Sequence, residues 1–135
     1  PHSLFHPKNE GFPIKEIVKP MDEEVIITKK VNSSFIGTNL EEFLKLNEIT
    51  TVVITGLTTP HCVSTTTRMS GMSGNLGFDT YLISDATAAF GIKDQNGTYY
   101  DANTIHNVSI ATLHDEFATI LTTDQLINDF IKLSN

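Results

Sequence analysis

The sharpest feature in the hydrophobic pattern is Thr51-Val52-Val53-Ile54-Thr55, an apolar, β-branched run that predicts a buried strand. Gly56 breaks the run, and a polar turn, Leu57-Thr58-Thr59-Pro60-His61, leads to Cys62 and a stretch of helical potential containing Arg68. Upstream, Glu24–Thr28 predicts a short strand and Lys29–Gly37 a loop. Thr38 then serves as N-cap for a helix over Asn39–Leu46, with Leu40, Phe43 and Leu44 on one face. Downstream, Asp79–Ser84 predicts a strand, and residues 90–103, with Asn96-Gly97, a loop or hairpin-like excursion. Ile105, Val108, Ala111, Thr112 and Phe117 suggest a helix over Ala102–Phe117, and Ala118–Leu121 a last strand. Thr122-x-x-Gln125 is a capping box for a helix whose Leu126, Ile127, Phe130 and Ile131 are spaced for burial. Strands alternating with helices predict an α/β fold with a parallel sheet covered on both faces.

Residues 1–20 show no steady period and hold four of the five prolines, so an extended surface loop is expected there, with a short turn near Ile14–Val18. A length of 135 residues sets a single domain over 1–135, large enough for a proper core. Nine Lys plus Arg stand against sixteen Asp plus Glu with no basic run, which argues against nucleic acid and anionic membrane as partners. No apolar run approaches the ~20 residues of a membrane span. One cysteine excludes an internal disulfide framework and fits a reducing, cytoplasmic setting. The only repeat is Met69-Ser70-Gly71 followed by Met72-Ser73-Gly74.

The candidate chemistry centres on Cys62. A strand, a tight turn and then Cys at the first turn of a helix is an arrangement that stabilises a thiolate through free N–H groups and the positive dipole end. The same amides can receive an oxyanion. His61 is adjacent, but neighbours across a turn point apart, so a pocket-rim or backbone-capping role is expected rather than a Cys–His dyad. His2, His6, His106 and His114 lack metal-ligand spacing, and no metal is expected. Asp85 is expected to close a strand end, and Arg68 to make a buried or interface ion pair.

Three runs of residues stand in one order: Lys29, Ser33, Phe35, Gly37, Thr38 and Leu40; then Gly56, Thr59, Cys62, Val63, Thr66 and Arg68; then Gly77-Phe78 with Ser84-Asp85-Ala86-Thr87. Together they resemble the isochorismatase-like cysteine hydrolases, the superfamily of nicotinamidases and N-carbamoyl amide hydrolases. The resemblance spans residues 25–127 and implies a three-layer α/β/α fold with a mainly parallel six-stranded sheet. It implies Cys62 as nucleophile, Lys29 as the catalytic cation, and a cis Leu57–Thr58 bond that aims the Thr58 amide beside that of Cys62 as an oxyanion hole. His61, Ser33, Phe35 and Phe90 are candidate pocket residues, the last three with core as the alternative.

In the family, an Asp on the first strand moves the proton, but no such strand or motif precedes residue 24 here. The four predicted strands therefore map to the family's third to sixth, and the chain is expected to be N-terminally incomplete, lacking the first two. The Met-Ser-Gly duplication sets Gly77 three residues further from Cys62 than in the family, and the extra residues are expected to loop out or fray. The implied activity is hydrolysis of a C–N bond in a small amide, imide or carbamoyl compound through a thioester at Cys62, without a cofactor. Two alternatives remain: a catalytically silent scaffold or binding protein, and a vinyl-ether hydrolase. A homo-dimer or homo-tetramer is implied by resemblance alone.

Overall fold

The structure is a computed structural model that describes residue 6, residues 8–71 and residues 75–131. In chain order its elements are α1 (Leu40–Leu46), β1 (Thr51–Leu57), a π turn (Thr59–Val63) and α2 (Ser64–Gly71). There follow β2 (Asp79–Ala88), β3 (Ile92–Lys93), β4 (Tyr99–Tyr100), α3 (Ala102–Ala111), β5 (Thr119–Leu121) and α4 (Thr123–Leu126). Among the described residues, β1, β2 and β5 form a parallel sheet in the order β1-β2-β5, while β3 and β4 pair antiparallel around Asn96-Gly97.

The β-branched run makes β1 because its inward side chains, Val52 and Ile54, are half-buried while Thr51, Val53, Thr55 and Leu57 face outward. The β1–β2 register runs from Thr51↔Asp79 to Ile54↔Leu82 and then slips to Gly56↔Thr87. Gly56 has φ +108° at that slip, a region where a side chain is strained. The slip carries the end of β1 out toward the turn that holds Cys62.

Two apolar clusters pack against these strands. Val63, Leu82, Leu113 and Ala118 form one, joined by Ile54, Ile110, Phe117 and Ile120. Phe35, Leu44 and Phe78 form the other, with Leu40, Phe43, Val52 and Met69 around them. The predicted apolar face of α1 therefore lies against the second cluster. Buried hydroxyls find partners too: Ser70 and Thr80 share a hydrogen bond of 2.8 Å between α2 and β2.

Several expectations need correction. Glu24–Thr28 is not a strand, and Val25 and Ile26 are more than half exposed. A strand exists only where a neighbour supplies the ladder, and this segment pairs with none of the described strands. The helix over 102–117 ends at Ala111, since the chain turns there to seat Leu113 fully in the core, and Asp115 follows with φ +60°. Asn39, not Thr38, occupies the N-cap place of α1 and makes no side-chain cap bond; the Thr38 hydroxyl, one residue earlier, accepts from Leu40 N–H at 3.4 Å and donates to the Ser34 carbonyl at 2.6 Å. Of the two places expected for an Arg68 ion pair, buried or interface, the buried one is not formed among the described residues. Arg68 lies 4.6 Å over the Phe117 ring and donates to Ser64 and Thr112 hydroxyls, because neutral acceptors are what α2 and the end of α3 place around it. The Met72-Ser73-Gly74 repeat, His2, and the side chains of Phe130 and Ile131 lie outside the described residues.

The capping box forms as the sequence indicates: Gln125 N–H donates to Thr122 Oγ1 and the Gln125 side chain accepts from Thr122 N–H. Asp85 closes the end of the β2 pairing by accepting from Thr123 N–H and hydroxyl, at 2.8 and 2.9 Å. Asp101 caps α3 and Asp94 closes the β3–β4 turn. Each of these three carboxyls sits below its ordinary pKa of 3.8, chiefly through a backbone N–H, from Thr123, Thr104 and Thr98 respectively. A carboxyl with a lowered folded pKa binds its proton less readily folded than unfolded. Its contribution is present above the unfolded value and is lost as pH falls through the lower folded value. We therefore expect the urea midpoint to fall as pH drops below 3.8, with a shallower fall in Asp101→Asn. All three groups are solvent-facing, so each share is small.

Candidate active site

Cys62 is half-buried and sits on the π turn Thr59–Val63, between the end of β1 and the start of α2. Amides in a first helical turn lack partners within the helix. The Thr58 carbonyl takes two of them, from His61 at 3.1 Å and Val63 at 3.3 Å, and the Cys62 amide lies between this pair. The Leu57–Thr58 peptide bond is cis. Thr58 is buried, and its hydroxyl meets His61 Nδ1 at 3.0 Å. His61 itself is exposed and is thus tied back into the turn by Thr58.

Lys29 reaches the same place from another part of the chain. Two of its three donors bind the Val31 and Asn32 carbonyls, at 2.9 and 3.0 Å, which fixes the ammonium against its own loop. That loop is fastened to α2: Ser34 N–H donates to Thr66 Oγ1, and Thr66 Oγ1 donates to Ser34 Oγ. Lys29 and Cys62 consequently share the walls of two adjoining cavities, of about 530 and 190 Å³, together with Leu57. A larger cavity of about 860 Å³ lies between residues 26–28 and α1, but neither Cys62 nor Lys29 lines it. Chemistry, rather than size, selects the pair at Cys62 as the candidate site.

Ser33 and Phe35 line neither of the cavities at Cys62. Ser33 is buried, donates to Met69 Sδ at 2.8 Å and accepts from Phe35 N–H at 3.1 Å. Phe35 stacks on Phe78 with ring centroids 6.2 Å apart. Ser33 occupies the core, and Phe35 sits in the second core cluster while also lining the cavity of about 860 Å³ beside α1. Phe90 is exposed and belongs to neither cavity. Among the described residues no group of three or more His, Cys, Asp or Glu could hold a metal ion, and no helix is long and apolar enough to cross a membrane.

Sequence reasoning missed His106. From α3 its Nδ1 meets the hydroxyl of fully buried Thr59 at 2.9 Å, pinning the turn that carries Cys62. His106→Ala leaves that hydroxyl without its partner, which costs about 1–3 kcal/mol. The loss is measurable by denaturant unfolding, and His106→Asn, whose side-chain nitrogen reaches a similar position, recovers part of it. The missed signal is a contact between residues 47 positions apart, which no local pattern carries.

The isochorismatase domain family matches residues 2–125. The isochorismatase family protein YrdC of Bacillus subtilis (strain 168) is 92% identical over 132 residues, which is 98% of this chain and 69% of that protein. The crystal structure of a protein described as a hydrolase of the isochorismatase family, from Chromobacterium violaceum ATCC 12472, superposes with a TM-score of 0.85 at 34% identity, over 94% of this chain and 64% of that one. A shorter likeness, 48% over 50 residues, links the chain to N-carbamoylsarcosine amidase of an Arthrobacter species, over 37% of this chain and 19% of that enzyme. The chain thus spans under two thirds of that solved structure. With the family match running over most of its length, and with a parallel α/β sheet behind the turn that holds Cys62, the chain belongs to the isochorismatase family.

Proposed function

We propose that this chain carries the cysteine site of a hydrolase that cleaves a C–N bond in a small amide, imide or carbamoyl compound. The observation that carries this reading is the joint placement of Cys62, in the first turn of a helical segment, and the Lys29 ammonium around the same two cavities. The turn's dipole and a nearby cation both favour thiolate over thiol. The local likeness to an amidase supports the choice of a C–N bond over a vinyl ether.

In this reading the Cys62 thiolate attacks the carbonyl carbon, and the carbonyl electron pair moves onto oxygen. The amides of Thr58 and Cys62 hold that oxyanion. Collapse of the tetrahedral adduct breaks the C–N bond and leaves a thioester at Cys62, the amine departing with a proton taken from solvent water, which the water consumed in the second step returns. Water then hydrolyses the thioester and restores the thiolate. Lys29 keeps the sulfur charged, and His61 borders the mouth of the turn. The proton carrier of the family is an Asp in a D-x-Q-like motif, which the sequence does not carry before residue 24. A reducing, cytoplasmic setting and a homo-dimer or homo-tetramer belong to the same reading.

Intact-mass measurement after incubation with p-nitrophenyl acetate, an activated ester, tests the nucleophile. The expected result is one acetyl group on the wild-type chain and none on Cys62→Ala. A wild-type chain that neither retains an acyl group nor releases p-nitrophenolate faster than Cys62→Ala leaves the silent scaffold as the better reading.

A further inference from the structure

The turn that carries Cys62 is tied to α3, an element that lines neither of the two cavities at Cys62. Thr59 is the first residue of this turn, directly after Thr58, and its side chain is fully buried. The Thr59 carbonyl accepts from Ser64 N–H and closes the turn onto α2, while the Thr59 hydroxyl meets His106 Nδ1 at 2.9 Å. Two neighbouring side-chain bonds are local. Thr58 Oγ1 meets His61 Nδ1 at 3.0 Å, and the Thr65 hydroxyl donates to the His61 carbonyl at 2.8 Å. Bonds of that kind shape the turn but do not set where it sits against the rest of the protein. α3 can set it, because both of its ends are held. Asp101 accepts from Thr104 N–H and hydroxyl at the start, and Ile110 packs on the cluster that contains Val63, the last residue of the turn.

We propose that His106 is a positioning residue of the hydrolase: through the Thr59 hydroxyl it keeps the Thr58 and Cys62 amides aimed at one point, where the carbonyl oxygen takes up charge. This inference rests on the hydrolase reading and adds a residue to its machinery. His106 lines neither cavity at Cys62, so it acts through Thr59 rather than on the substrate. Oxyanion donors work only when both stand within hydrogen-bond reach of the same oxygen, and loss of one costs about a hundredfold to a thousandfold in rate. A donor that is present but misdirected forfeits part of that factor. A buried hydroxyl is a firm constraint on the turn, since leaving its partner strands a polar group away from water. A bond that served stability alone would leave the chemistry of the folded protein as it was.

Two reactions of Cys62 separate these cases. Acyl transfer from p-nitrophenyl acetate passes through an oxyanion. Alkylation by iodoacetamide forms a C–S bond, expels iodide and passes through none. Both start from the same thiolate, so the ratio of their rates cancels changes in the sulfur itself. Acylation is read as p-nitrophenolate release above that of Cys62→Ala, and alkylation by intact mass. The acylation-to-alkylation ratio is expected to fall about tenfold in His106→Ala and in Thr59→Val, with no further fall in the double variant, because each removes the same bond. Thr59→Val nearly keeps the shape of the buried side chain, so it breaks the bond without opening a cavity. His106→Asn, which keeps a nitrogen near the place of Nδ1, should recover part of the ratio. A ratio unchanged in both single variants, or falls that add in the double variant, overturns the positioning role and leaves the hydrolase reading standing. A wild-type chain that is alkylated but releases p-nitrophenolate no faster than Cys62→Ala removes the hydrolase reading, and this inference with it.

Discussion

Cys62→Ala should lower the rate of acyl transfer by about four orders of magnitude or more. Loss of a covalent nucleophile typically leaves only what the oxyanion donors and substrate binding supply. A factor of ten thousand corresponds to about 5.5 kcal/mol in the activation barrier. Stability should change little, because Cys62 is only half-buried and the truncation removes a single sulfur. The measurement is the release of p-nitrophenolate by wild type and variant at matched concentration, with thermal unfolding as the control for fold. Cys62→Ser separates two causes: it keeps an oxygen in place but not an ionised one near neutral pH, so it should resemble Cys62→Ala. If Cys62→Ala released nitrophenolate at the wild-type rate, the mechanism would have to be abandoned.

Gly71→Ala should lower stability although it adds a single methyl group. A Cβ at Gly71 would overlap the Phe117 carbonyl oxygen and stand 2.7 Å from its carbon, both backbone atoms that cannot rotate away. Either the end of α2 or the segment before β5 must shift, and both carry core residues: Ser70 is fully buried, and Ala118 sits in the cluster with Leu82 and Leu113. Overpacking of this kind costs about 1–3 kcal/mol where the neighbours can yield. A backbone neighbour puts this case at the upper end. In a helix without that contact, Ala would instead be preferred over Gly by about 1 kcal/mol. The sign of the change therefore tests the close approach itself. Equilibrium urea unfolding of the wild type and Gly71→Ala decides it: a lower midpoint supports the packing described, and a higher one contradicts it.

The parts of the fold that the sequence determined by itself are those whose signals act within a few residues. The β-branched run of β1, the apolar face of α1, the Thr122–Gln125 capping box and the Asn96-Gly97 turn each follow from local sterics and local hydrogen bonding. The turn that carries Cys62 was legible for the same reason, since a strand, a glycine and a helix start stand within a dozen residues. Tertiary structure decided the rest. Glu24–Thr28 has strand-forming residues, but a ladder needs a second backbone alongside, and propensity cannot provide one. The end of α3 at Ala111 depends on where Leu113 finds its core neighbours.

Likewise Ser33 and Phe35 carry a motif in the sequence, yet whether they face a cavity or the core depends on Met69 and Phe78, elements away in the chain. The loop of Lys29 meets Cys62 only because Ser34 binds Thr66, 32 positions on, and Thr59 is held by His106, 47 positions on. Such contacts form only after distant segments have been brought together at an entropic cost. The packing of the whole chain selects them, and no short stretch of residues contains them.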